Sequence, residues 1–104
     1  MASTGVRIGV VGATGALGSE VLVALDASSI RVAELVASAT ERSLGEDIEF
    51  QGEIVPVASE LPSLRGLDLL FCCAPPEASL AALREALRLE VPVIDCGGAL
   101  LASE

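Results

Sequence analysis

The strongest constraint lies in the first eighteen residues. Val6-Arg7-Ile8-Gly9-Val10-Val11 is a short β-branched run that passes directly into Gly12-Ala13-Thr14-Gly15-Ala16-Leu17-Gly18. Such a run ending in glycine predicts a strand. A helical period then takes over, with Leu17, Val21, Ala24 and Leu25 on one face and Ser19, Glu20 and Asp26 elsewhere. The start of a helix carries N–H groups without intrahelical partners and a partial positive charge, so it suits a phosphate group that can come close. Glycine permits that approach. In this reading Gly12 makes the tight turn out of the strand, Gly15 admits the pyrophosphate of a dinucleotide, and Gly18 lets the helix pack on the sheet. Ala13, Thr14, Ala16 and Leu17 complete the loop. The spacing is G-x-x-G-x-x-G rather than G-x-G-x-x-G, a variant of the same device. Three glycines alone describe a flexible loop equally well; the strand before and the amphipathic helix after them favour the binding reading.

The rest of the chain continues the alternation. Arg31 to Ser38 predicts a second strand with Val32, Leu35 and Val36 in the core. Between Leu44 and Ala58, Ile48 and Phe50 alternate with polar residues, Gln51-Gly52 marks a turn, and Ile54 to Val57 returns. This predicts a hairpin excursion with an edge strand, because Pro56 cannot donate to a ladder. Leu61-Pro62-Ser63-Leu64 predicts a single helical turn, and Leu67 to Cys73 a buried strand. Pro75-Pro76-Glu77 opens a helix with proline and an acid in its first turn. Leu80, Leu83, Leu87 and the intervening alanines form its apolar face, Arg84, Glu85 and Arg88 its outside, and Val91 to Cys96 is a last strand before Gly97-Gly98. The order predicts a doubly wound α/β fold with a mostly parallel sheet, a Rossmann-type domain with a hairpin excursion.

Composition agrees. At 104 residues the chain has room for one domain, and 52% of it is hydrophobic with only two aromatics, Phe50 and Phe71. A core of Val, Leu, Ile and Ala suits strands buried on both faces. The mean hydropathy of +0.66 implies more apolar surface than one small domain hides, hence a partner domain or a homo-oligomer. A net charge of −9 with six scattered basic residues argues against a nucleic-acid partner. With no histidine, the commonest general base and metal ligand is missing; no metal site and no catalytic residue are expected. No apolar stretch is long enough for a membrane span, and no signal peptide is visible, so the expected setting is the cytoplasm. Cys72, Cys73 and Cys96 lack metal or redox spacing and read as reduced packing residues. Cys96, at the end of a strand beside the expected cofactor, sits where a nucleophile would stand, yet no histidine is there to activate it. Glu46-Asp47 and Glu49 read as a solvated face.

The end of the second strand bears on the choice of nucleotide. An NAD site places a carboxylate there for the ribose 2′-hydroxyl, whereas NADP sites tend to use arginine. Here the residues are Ser38-Ala39-Thr40-Glu41-Arg42-Ser43. Small and hydroxyl residues with Arg42 favour NADP over NAD, since a guanidinium pairs well with a phosphate; Glu41 is the competing carboxylate.

At these positions the sequence resembles the aspartate-semialdehyde dehydrogenase family. The matching pieces are Val11 to Gly18, Ala39-Thr40-Glu41-Arg42-Ser43-Leu44-Gly45, Phe50-Gln51-Gly52, Leu70-Phe71-Cys72-Cys73-Ala74 and Val93-Ile94-Asp95. They run over nearly the whole chain. The resemblance implies an NADP-dependent reductive dephosphorylation of an acyl phosphate in amino-acid biosynthesis. It also implies that the Gly12–Gly18 loop and Ala74 contact the cofactor, while Thr40, Arg42 and Ser43 hold its 2′-phosphate. Residues 1–104 would then be the dinucleotide-binding domain, the family's catalytic cysteine and histidine belonging to a further domain.

The chain departs from the family pattern in two places. Ala74-Pro75-Pro76 replaces a loop of glycines and serines near the nicotinamide. Cys96-Gly97-Gly98-Ala99-Leu100-Leu101 replaces Asn-Ser-Ser-Ala and a substrate-binding arginine, with Leu101 at the arginine's place. The alternative is therefore a catalytically inactive relative that serves as a nucleotide-binding or self-assembly module. A fragment of a short-chain reductase or epimerase would share Gly12-Ala13-Thr14-Gly15, but the hairpin and the Thr40–Gly45 loop argue against it.

Overall fold

A computed structural model of the chain describes residues 5–39, 47–58 and 63–96. The elements run β1 (Val6–Val11), α1 (Ala16–Ala27), β2 (Val32–Ser38), β3 (Asp47–Phe50), β4 (Glu53–Ala58), β5 (Leu69–Cys72), α2 (Pro76–Leu89) and β6 (Val93–Asp95). They form a six-stranded sheet of order β3-β4-β2-β1-β5-β6. All neighbouring pairs are parallel except the β3–β4 hairpin. The expected mixed α/β architecture with a mostly parallel sheet is the one observed.

Side-chain alternation along the central strands places the two helices on opposite faces. Ile8 and Val10 of β1 pack with Leu22 and Leu25 of α1, while Val11 packs with Leu83 and Ala86 of α2. β1 and β5 are thus buried on both sides, which is why they read as unbroken apolar runs. From β1 the chain moves outward to β2 and the hairpin, then returns to β5 on the other flank. The order reverses at β1, and in open α/β sheets ligands bind beyond the strand C-termini at such a switch.

Both helices are rotated from the expected phase. In α1 the buried positions are Gly18, Leu22 and Leu25, whereas Leu17 is 47% exposed and Ala24 is exposed. Gly18 must face the loop it packs on, and positions four and seven residues further follow it inward. In α2 the buried positions are Ser79, Leu83 and Ala86, and Leu87 is 69% exposed. Here the Ser79 hydroxyl donates to the Ala74 carbonyl at 3.1 Å and holds that side of the helix against the sheet.

Pro56 does not lie on an edge strand. β4 sits between β3 and β2, and the edge is β3. Proline is tolerated because β4 joins the β2 ladder only at Val57 and Ala58, past the position that cannot donate. Before that point β2 and β4 diverge around a cleft bordered by Glu34, Leu35, Phe50, Ile54 and Pro56. This cleft lies along the first half of β2, away from the switch point. The hairpin turn falls at Gln51-Gly52, both with positive φ, and the Gln51 N–H donates to Asp26 at the end of α1. Other strands are shorter than expected: β2 starts at Val32, β5 at Leu69 and β6 at Val93. Ser63 and Leu64 are not helical, and the remainder of that expected turn, Leu61-Pro62, lies outside the described residues.

Candidate dinucleotide-binding site

The site is built where β1 hands the chain to α1. Gly12 leaves the strand with φ +80, a conformation that favours glycine. Its N–H and that of Ala13 both donate to the Ser38 carbonyl at 2.9 Å. The loop is therefore tied to the end of β2. The Gly15 N–H donates back to the Gly12 carbonyl at 3.2 Å, and the Ser19 N–H closes the first helical turn onto Gly15. Between these bonds lie Ala16, Leu17 and Gly18, the first three helical positions, whose N–H groups a helix cannot satisfy from within. Gly15 is the N-cap, extended at φ −77 and ψ 177, with no side-chain cap, and the first turn of α1 carries no acid. That leaves the partial positive charge of the helix start uncompensated there.

The three glycines do not have the same reason to be glycine. A Cβ at Gly12 would stand 2.7 Å from the Ala74 nitrogen, and one at Gly18 would stand 2.0 Å from the Gly12 carbonyl oxygen. Both are required by the fold. A Cβ at Gly15 would meet only the Gly12 oxygen, at 3.6 Å, an ordinary contact. Nothing inside the described residues demands glycine at position 15, whereas close approach of an external group would. Gly18 packs on the loop's own backbone, a tighter contact than the expected helix-on-sheet packing.

The structure brings the Gly12–Gly18 residues and Ala74 together. Ala13 is buried at 1% exposure and anchors the loop, while Gly15, Ala16 and Leu17 are exposed. Ala74 is buried beside Gly12 at the C-terminal end of β5. Thr40, Arg42 and Ser43 lie outside the described residues; β2 delivers the chain to Ala39 at the edge that carries the glycine loop. Sequence reading missed Ser38, which acts through its backbone carbonyl and so leaves no mark in residue type.

Cys72 is fully buried and Cys73 nearly so. Burial pushes the Cys72 thiol up to about 11, with Asp95 and Cys96 adding to it. Burial, together with Cys96, pushes Cys73 up to about 12. Both stay neutral at physiological pH, in keeping with packing roles. Among the described residues no group of three or more histidine, cysteine, aspartate or glutamate side chains can hold a metal ion. Among them, too, no helix is long and apolar enough to cross a membrane.

A parallel sheet with its order reversal at β1, and an uncapped helix start over a glycine turn at that reversal, define a nucleotide-binding α/β domain of the Rossmann type. The comparisons narrow the class. The family model for the NAD-binding domain of semialdehyde dehydrogenases matches residues 7–103, and the chain belongs to that family. It is 40% identical over 70 residues to an aspartate-semialdehyde dehydrogenase of Synechocystis, covering 66% of this chain and 21% of that protein. It is 32% identical over 92 residues to the Bacillus subtilis enzyme of the same name, covering 88% and 27%. Among solved structures, aspartate-semialdehyde dehydrogenase II of Vibrio cholerae superposes with a TM-score of 0.80 at 31% identity, over 88% of this chain and 28% of that one. The chain thus spans about a quarter of the length of these relatives.

Proposed function

We propose that this chain is the NADP-binding part of an oxidoreductase of the aspartate-semialdehyde dehydrogenase type, one that reductively dephosphorylates an acyl phosphate in the cytoplasm. The observation that carries the reading is Gly15, a glycine that nothing among the described residues requires, at an uncapped helix start. In this reading the N–H groups of Ala16, Leu17 and Gly18 face the pyrophosphate. Gly12, Ala13 and Thr14 shape the loop, and Ala74 forms its floor. Thr40, Arg42 and Ser43 bind the 2′-phosphate, Arg42 through a two-pronged guanidinium contact. The nicotinamide, when bound, supplies the hydride chemistry. The chain's own residues bind and orient it, and none of them is assigned a catalytic role. Residues 1–104 act as one dinucleotide-binding domain.

Isothermal titration calorimetry with NADPH and NADH on this chain tests the proposal. NADPH should bind in the micromolar range and NADH at least about tenfold more weakly, a difference of roughly 1.4 kcal/mol. Arg42→Ala should abolish that preference. Failure of both nucleotides to bind would overturn the reading and leave the glycine loop as inherited scaffold. The second reading, an inactive self-assembling relative, draws on the exposed Leu17, Val23, Leu87 and Ile94 and on Leu101 in the arginine's place. It requires a dimer or larger species in light scattering, and a strict monomer at high concentration would remove it.

A further inference from the structure

The proposed cofactor loop uses none of the three thiols, and strand alternation separates two of them. Cys72 packs with Leu70, Leu83 and Ala86 on the α2 side of the sheet. Cys73 packs with Ile8, Val10 and Ala13 on the α1 side, and Cys96 lies against that same cluster. β5 and β6 run parallel with Cys72 opposite Asp95. The Cys96 N–H donates to the Cys72 carbonyl at 2.9 Å, so the ladder extends past the strand ends and sets Cys73 beside Cys96. Neighbouring strands lie about 4.8 Å apart, inside the Cα separation of roughly 4.4–6.8 Å that a disulfide spans.

We propose that Cys73 and Cys96 form a reversible cross-strand disulfide site, oxidised by a hydroperoxide. Cys96 is the half-exposed member of the pair and reacts first. Its thiolate attacks one peroxide oxygen, the O–O bond breaks, and water or an alcohol leaves with a solvent proton, giving a sulfenic acid on Cys96. The Cys73 sulfur then attacks the Cys96 sulfur. The S–S bond forms, the S–O bond breaks, and the departing hydroxide takes the Cys73 proton as water. Two thiols lose two electrons and the peroxide gains them. An external dithiol reverses the bridge by exchange. Cys73, held protonated by burial, waits for Cys96, and Cys72 is out of reach on the opposite face. The bridge would fasten β6, a three-residue strand that among the described residues pairs with β5 alone. In a reducing compartment it would be transient.

The test treats the reduced chain with stoichiometric hydrogen peroxide in native buffer. Thiols are then counted after unfolding, and linked peptides are mapped by mass spectrometry without reduction. Free thiols should fall from three to one, with a single Cys73–Cys96 peptide that dithiothreitol releases. Cys72→Ser should still form the bridge. Cys73→Ser should stop at a Cys96 sulfenic acid trapped by dimedone. A bridge that includes Cys72, a disulfide only between chains, or survival of all three thiols would overturn the proposal, and each is read on the unmutated chain.

Discussion

The two strand-to-helix corners, β1 into α1 and β5 into α2, are neighbours on the same edge of the sheet, and they are finished in opposite ways. At the second corner Pro76 takes the first helical position, where its missing N–H costs nothing. Glu77 sets an acid against the helix dipole. The Ser79 N–H donates to the Pro75 carbonyl at 3.0 Å, and its hydroxyl reaches back to Ala74. That helix start has its favourable charge from within the chain, through Glu77. Neither helix start has a capping side chain, but the first has neither an acid nor a proline, only a glycine with room around it among the described residues. Two adjacent helix starts under the same physical demands therefore teach that an unfinished one is a feature to be explained. Under the proposed function, the pyrophosphate of the dinucleotide is the anion that completes it.

The contrast can be broken experimentally at three points. The largest effect is expected at Gly18→Ala, whose new methyl would sit 2.0 Å from the Gly12 carbonyl oxygen. Backbone must move, and the loss should reach about 3 kcal/mol, the upper part of the range for overpacking. Urea unfolding measures it; a loss below about 1 kcal/mol would mean that the helix is not seated on the loop. Next comes Gly15→Asp. Its backbone already has the extended geometry of an N-cap, so the carboxylate should stabilise the domain by roughly a few tenths of a kcal/mol while competing with the pyrophosphate. Stability should rise and NADPH affinity should fall by about tenfold or more. If both rose together, the first corner would not be the anion site. The smallest effect is Ser79→Ala, which removes one buried hydrogen bond and leaves the Ala74 carbonyl without that donor. A cost of about 1 kcal/mol with unchanged nucleotide affinity would confirm that the Ser79 bond is structural.

How far residue pattern alone reaches is clear from the same two corners. β1 and the glycine loop were legible because their signals are local: β-branched residues for a strand, glycine for a turn, apolar spacing for a helix. Helix phase was not. In both helices the obvious leucines, Leu17 and Leu87, are exposed, and the buried series instead begins at a small residue, Gly18 or Ser79. Hydropathy weights the large side chains. The phase is set by which residue can approach the loop or strand end most closely, and that is a contact with a neighbour several residues or one strand away. The candidate site divides likewise. Gly12, Gly15 and Gly18 stand out by type, whereas the Ser38 carbonyl that fixes their loop is a backbone group that every residue has.

By itself, then, the amino-acid sequence determined the main strands and helices, their α/β order and the loop that marks the candidate site, since each depends on short-range propensity and sterics. Only the tertiary structure decided which glycines serve the fold and which is left over, because that is a matter of what a missing Cβ would touch. It also decided that β4 lies inside the sheet despite Pro56, and that Cys73 rather than Cys72 faces Cys96. Both follow from strand pairing, where register and side-chain alternation across the sheet bring together residues that no local pattern connects.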